Sequence, residues 1–212
     1  MVRHVRVPSS SDVVLEDVGR VGWWLVVGET DGPRQVVAGP FPDRAEAGFA
    51  AATVLTEAAC PAYGIRREDG SLGRRPSPQE WAWLAHLGEQ LERLPDEWSD
   101  ILSDEDPLTT LVVEVTAALS EAGLPLHDAA GEAAELGGAC LTPQPGLGGI
   151  VVAWRQHDRM SVERVHGGGA DVAVQAVMNL ALAHVLIARG FDVEPLGDAA
   201  GHVVRGAAPA AG

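Results

Sequence analysis

Two histidine-aspartate dipeptides, His127-Asp128 and His157-Asp158, are the residues best suited to chemistry, because an imidazole beside a carboxylate can ligate a divalent ion or relay a proton. His166 follows His157 by nine residues, close enough to meet it across a hairpin, and His157, Asp158 and His166 together would suit zinc or iron in a metal-dependent hydrolase. Turn polarity is the competing explanation, since His127 follows Leu-Pro-Leu in a connection and His157 ends a strand. No G-x-S-x-G nucleophile elbow occurs. Cys60 precedes Pro61 at a helix end and Cys140 alternates within a strand, so both read as small core residues. The glycine-rich run 146–149 precedes a strand, the wrong order for a dinucleotide fingerprint. Gly167-Gly168-Gly169 leads into a helix, but Asp171 there would repel phosphate. The chain is therefore expected to be non-enzymatic and without a cofactor, with the His157, Asp158 and His166 hydrolase as the alternative.

Contact with another protein is the expectation the residue types favour. Six of the ten aromatic residues are Trp, a residue able to dominate an interface. Trp23 and Trp24 are adjacent on a strand and point to opposite faces, and Trp81 lies about 100° off its helix stripe, so at least one indole should be exposed. Residues 89–106 hold eight acids and one Arg, a local charge of −7 out of −15. Trp23, Trp24, Trp81, Asp100, Asp104, Glu105 and Asp106 are accordingly the candidate protein-binding residues. All fifteen basic residues are Arg, a GC-rich bias, and thirty acids oppose them. That balance disfavours direct nucleic-acid binding, which needs a cationic face, and leaves an acidic mimic of DNA as a further alternative. Arg66, Arg67, Arg74 and Arg75 cluster on one hairpin, where local pairing competes with recognition of an acidic partner. Apolar runs fall short of the ~20 residues of a spanning helix, the N-terminus does not read as a secretory signal, and two Cys cannot make a disulfide framework. A cytoplasmic protein with no membrane role is expected.

The elements that must position these residues read as α+β: two small two-layer units, each a mainly antiparallel sheet packed on helices. A polar leader (1–20) precedes a ββαββα domain (21–98), with strands near 21–28 and 34–39 around Asp31-Gly32. A helix over 44–59 carries a stripe of Ala45, Phe49, Ala52, Leu55 and Ala59, and a second hairpin turns at Asp69-Gly70. Ser77-Pro78-Gln79-Glu80 is a capping box with Pro at the first helical position, followed by the stripe Leu84, Leu87, Leu91, Leu94, Trp98. Residues 99–106 read as an acidic linker. The αβββαββ domain (107–206) starts at the N-cap Asp106 and Pro107, with Leu108, Leu111, Val112, Val115 and Leu119 on one face. Strands follow at LGGACLT, GGIVVAWRQH and MSVERVH. A helix from Asp171 that is apolar almost all round should lie in mid-core, where Asn179 and His184 each need a partner. Two short strands, around Gly197-Asp198, and a tail (207–212) end the chain.

The order of elements in 107–206, with its acidic surface and the polar Asn179 inside a central helix, resembles the type III secretion chaperone-like α/β fold. That resemblance implies a non-catalytic domain that forms a homodimer or holds a partner chain. The segment RQVVAGPFPDRAEAGFAA, Arg34 to Ala52, resembles the start of SPOR domains, where a strand, a Gly-Pro-Phe turn (Gly39, Pro40, Phe41) and an Ala-rich helix precede a sheet that recognises stripped peptidoglycan.

Overall fold

The computed structural model describes residues 18–28, 34–54, 59–103, 105–131, 135–161, 170–197 and 201–206. The chain divides into two compact units, Met1–Trp83 and Leu84–Gly212. Each holds a four-stranded antiparallel sheet packed with helices, so the fold is α+β as the sequence predicts.

In the first unit, β1 (Val21–Val27), β2 (Gln35–Phe41), β3 (Cys60–Arg66) and β4 (Leu72–Arg74) line up in the order β2-β1-β3-β4. Helix α1 (Arg44–Val54) covers one face. Trp23 and Leu25 pack there against Ala47, Ala50 and Ala51, small residues that let the helix lie close over large strand side chains. The expected stripe through Phe49 is therefore rotated, and Phe49 is exposed. On the other face Trp24 and Val26 join Val36, Ala62 and Leu72 in a cluster drawn entirely from strands. The sheet curls to enclose it, because its two edges meet: the Val36 N–H donates to Gly70 O at 3.0 Å and the Leu72 N–H to Arg34 O at 3.0 Å. Trp24 Nε1–H donates to Gly64 O at 3.2 Å, so the buried indole is satisfied. Gly39 is required beside it, since its φ is +125° and a Cβ would stand 2.8 Å from the Trp24 ring.

Helix α2 (Pro78–Leu91) carries the chain from the first unit into the second. Its capping box forms as predicted, with Ser77 N–H donating to Glu80 Oε2 at 2.6 Å and Glu80 N–H to Ser77 Oγ at 3.2 Å. These hydrogen bonds, from the Ser77 backbone first and its side chain second, hold the Glu80 carboxyl below the usual carboxylate range.

The second unit contains α3 (Pro107–Glu121), β5 (Gly138–Gln144), β6 (Gly149–Arg155), α4 (Ala170–Ala188), β7 (Asp192–Pro195) and β8 (His202–Arg205), with sheet order β5-β6-β8-β7. Asp106 caps α3, its Oδ1 accepting from Leu108 N–H at 2.8 Å, and Pro107 opens the helix as expected. Two expectations change. Met160 and Ser161, assigned to a third strand, lie in a 3-10 turn, Asp158–Ser161, and the rest of that segment lies outside the described residues. Nor is 99–106 the boundary: Leu94 and Trp98 are buried in the core of the second unit with Leu111, Val115 and Leu141, and Leu91 and Ile101 pack beside them. The stripe through Leu91, Leu94 and Trp98 is apolar as predicted but belongs to the second unit, and the acid around it lies on the opposite, solvated side. Trp98 Nε1–H donates to Leu141 O at 2.8 Å.

Trp98→Ala is expected to lower the unfolding free energy by about 3–5 kcal/mol, read by chemical denaturation. An unmoved midpoint would exclude Trp98 from the core of the second unit.

Candidate functional site

The polar residues of α4 determine which of its faces meets the sheet. β6 pairs with β8 at Ile150, Val151 and Val152. Beyond that, the Trp154 N–H donates to Asn179 Oδ1 at 2.6 Å, and Gln175 Nε2 donates to the Trp154 carbonyl. Gln156 Nε2 reaches the Asp171 carbonyl near the start of the helix. Asn179 thus finds its partner in a strand amide. Leu182, Ala183 and Leu186 are buried on the same side.

At about 100° per residue, this leaves Ala173, Ala176, Val177, Leu180, His184 and Ile187 as a stripe on the outside. Val177 is 65% exposed, Leu180 52% and Ile187 53%, and Val172 at the helix start is 69% exposed. The mid-core placement expected for this helix is corrected: its sheet is short, and one side suffices to cover it. His184 is exposed instead of buried. Residues 172–188 contain no Asp, Glu or Arg. By length and composition alone Asp171–Ala188 is also apolar enough to cross a membrane, at mean hydropathy 1.7, which corrects the reading that no run suffices. Its bonds to β6 and the burial of Leu182 and Leu186 tie it into the fold as a half-covered helix.

The surrounding charge is lopsided. The first unit has nine Arg against eleven acids, net −2, whereas the second has six against nineteen, net −13. The apolar stripe is an uncharged strip on the anionic unit.

The predicted contact residues scatter. Trp23 and Trp24 are both buried, because both faces of their sheet are covered, so neither is a surface anchor. Trp81 is 61% exposed, and Asp100 and Glu105 are exposed. Asp106 is half-buried as the cap of α3, and Asp104 lies outside the described residues. Arg74 pairs with Glu80 at 3.6 Å, a local use of one hairpin arginine.

The chemical candidates are occupied structurally where they are described. His127 is buried, with Nδ1 3.1 Å from Leu136 O and its backbone N–H on Ala139 O. His157 Nδ1 accepts from Arg159 N–H at 3.1 Å, and Asp158 meets Arg155 at 3.4 Å. His166 and Gly167-Gly168-Gly169 lie outside the described residues, among which three or more potential metal ligands nowhere converge. Burial pushes the Cys140 thiol up, as fits a core cysteine, whereas Cys60 is exposed, contrary to expectation. Comparison with protein-family models, curated proteins and solved structures finds no match for the chain.

Sequence reading missed the α4 face because an all-round apolar helix looks the same whether one side or both are covered. The signal available was the pair Gln175 and Asn179, four residues apart, which marks the side that meets backbone.

His202 on β8 adds a pH response. Burial first, and the neighbouring His184 second, lower its pKa from the usual imidazole value of 6.5. Its Nδ1 is enclosed without a hydrogen-bond partner. The folded state disfavours the imidazolium, so the unfolded chain binds more protons once pH falls below about 6.5. Stability should be full above that value and decline toward the lowered folded pKa, before the carboxylates titrate. Denaturation at about pH 7.5 and 5.5 should show this slope in the wild type and a smaller one in His202→Asn; equal slopes would exclude His202 as the cause.

Proposed function

We propose that the chain is a non-enzymatic protein-binding protein, adaptor or chaperone-like, whose second unit meets another polypeptide through the outer face of α4. The observation carrying this reading is that stripe of exposed, uncharged residues on a unit of net charge −13. An exposed apolar strip costs solubility unless it is covered part of the time. The free thiols of Cys60 and Cys140 suit a reducing cytoplasm. The order of the described elements of the second unit, α3, β5, β6, α4, β7 and β8, supports the chaperone-like reading.

The partner that best matches the strip is a second copy of the chain. Antiparallel pairing about Leu180 sets Ala173 opposite Ile187 and Ala176 opposite His184, small against large. It also brings the Asp171 end of each helix to the Arg189 end of the other, so opposite charges and helix dipoles meet. A footprint of about 28 Å by 10 Å, ~300 Å² per copy, is well below the ~800 Å² per partner of a stable complex. Self-association should therefore be weak and concentration-dependent. A lipid surface suits the strip less well, because a unit of net charge −13 is repelled by anionic headgroups.

Sedimentation equilibrium should show dimerisation with a Kd on the order of 10–100 μM, and Leu180→Asp should weaken it at least about tenfold without changing the far-ultraviolet circular dichroism. A chain that stays monomeric into the millimolar range sinks the second-copy reading, and flotation with neutral phosphatidylcholine vesicles would replace it with a lipid one.

The charge on the second unit also favours the acidic-mimic alternative. Its signature would be salt-sensitive capture by basic nucleic-acid-binding proteins, unaffected by Leu180→Asp.

A further inference from the structure

In the first unit a cavity of about 360 Å³ opens beside the sheet, and every described residue lining it belongs to that unit. Its volume falls in the range of small-molecule sites. Three arginines line it from separate elements: Arg34 just before β2, Arg44 at the start of α1 and Arg74 at the end of β4. Three aromatic residues line it too. Trp23 and Tyr63 meet edge to face with centroids 5.4 Å apart, the Arg44 guanidinium lies 6.0 Å from the Trp23 ring, and Trp83 completes the set from α2. Among the described lining residues the one carboxylate is Glu80, which the capping box holds at the start of α2.

The described lining thus carries three positive charges against one negative, in a protein with twice as many acids as arginines. Arg74 also meets Glu80 at 3.6 Å, an exposed pair of the kind that contributes little and that a bound anion can replace. Guanidinium groups converging on one cavity present fork-shaped donors that match carboxylate or phosphate, and aromatic walls beside them accept a flat ring. The first unit is close to neutral, so its overall field does not repel an anion.

We propose that this cavity binds a small aromatic anion, a planar ring bearing a phosphate or carboxylate group, with Arg34, Arg44 and Arg74 at its charged end and Trp23, Tyr63 and Trp83 along its ring. The site is separate from α4 and does not depend on how that helix is used.

The test is isothermal titration of the full-length chain with adenosine 5′-monophosphate and with indole-3-acetate, using adenosine and inorganic phosphate as half-ligands. At least one aromatic anion should bind about tenfold or more tightly than either half-ligand, and the better of the two identifies the head group. Arg44→Gln and Arg74→Gln should each weaken binding about tenfold. Glu80→Gln keeps the capping box, which accepts Gln, while removing the opposing charge, so it should tighten binding several-fold. If an arginine variant fails to fold, the Glu80→Gln result still decides. Failure of both anions to bind below ~5 mM, binding of adenosine as tight as that of its phosphate, or an affinity unchanged in Glu80→Gln would overturn the proposal.

Discussion

Two side-chain amides set the geometry of the second unit. With Asn179 accepting from the Trp154 N–H and Gln175 donating to the Trp154 carbonyl, α4 cannot rotate without stranding two polar groups of β6. Leaving a buried backbone group unpaired costs about 1–3 kcal/mol, and rotation would strand two while only exchanging the apolar side chains of one side of the helix for those of the other. The hydrogen bonds therefore decide which side of a nearly all-apolar helix is the inside. Leu182 and Leu186 enter the core, and Val177, Leu180 and Ile187 are left facing solvent.

The first unit solves a different problem with the same economy of parts. Four short strands with two apolar faces need covering on both sides, and α1 covers one. Curling of the sheet covers the other, until β2 meets the turn before β4 through the Val36 and Leu72 amides. This closure brings the residues before β2 toward the hairpin that ends in Arg74, so Arg34 and Arg74 line one cavity although forty residues separate them. Enclosure of Trp24 and convergence of the arginines follow from the same bend.

The two units also divide the charge. Almost all of the net −15 belongs to the second, the unit that exposes the apolar face of α4. The first, near neutrality, can present a cationic cavity. The two proposed contacts are favoured by this separation, because a field of uniform sign would weaken one of them.

Local signals were legible because their physics is local. The capping box at Ser77 and Glu80, the cap at Asp106 with Pro107, and the opposite orientations of Trp23 and Trp24 depend on neighbours within a few residues, and they stand as read. The α+β class followed from alternating strand and helix patterns for the same reason. What depends on distant backbone was not legible: that Leu94 and Trp98 join the core of the second unit and not of the first, that both strand tryptophans are covered, that Phe49 faces water, and that α4 is buried on one side only. Composition decided the sign and amount of charge, whereas only the folded chain decided where it gathers, because closure of a sheet and the pairing of one asparagine are contacts between residues far apart in sequence.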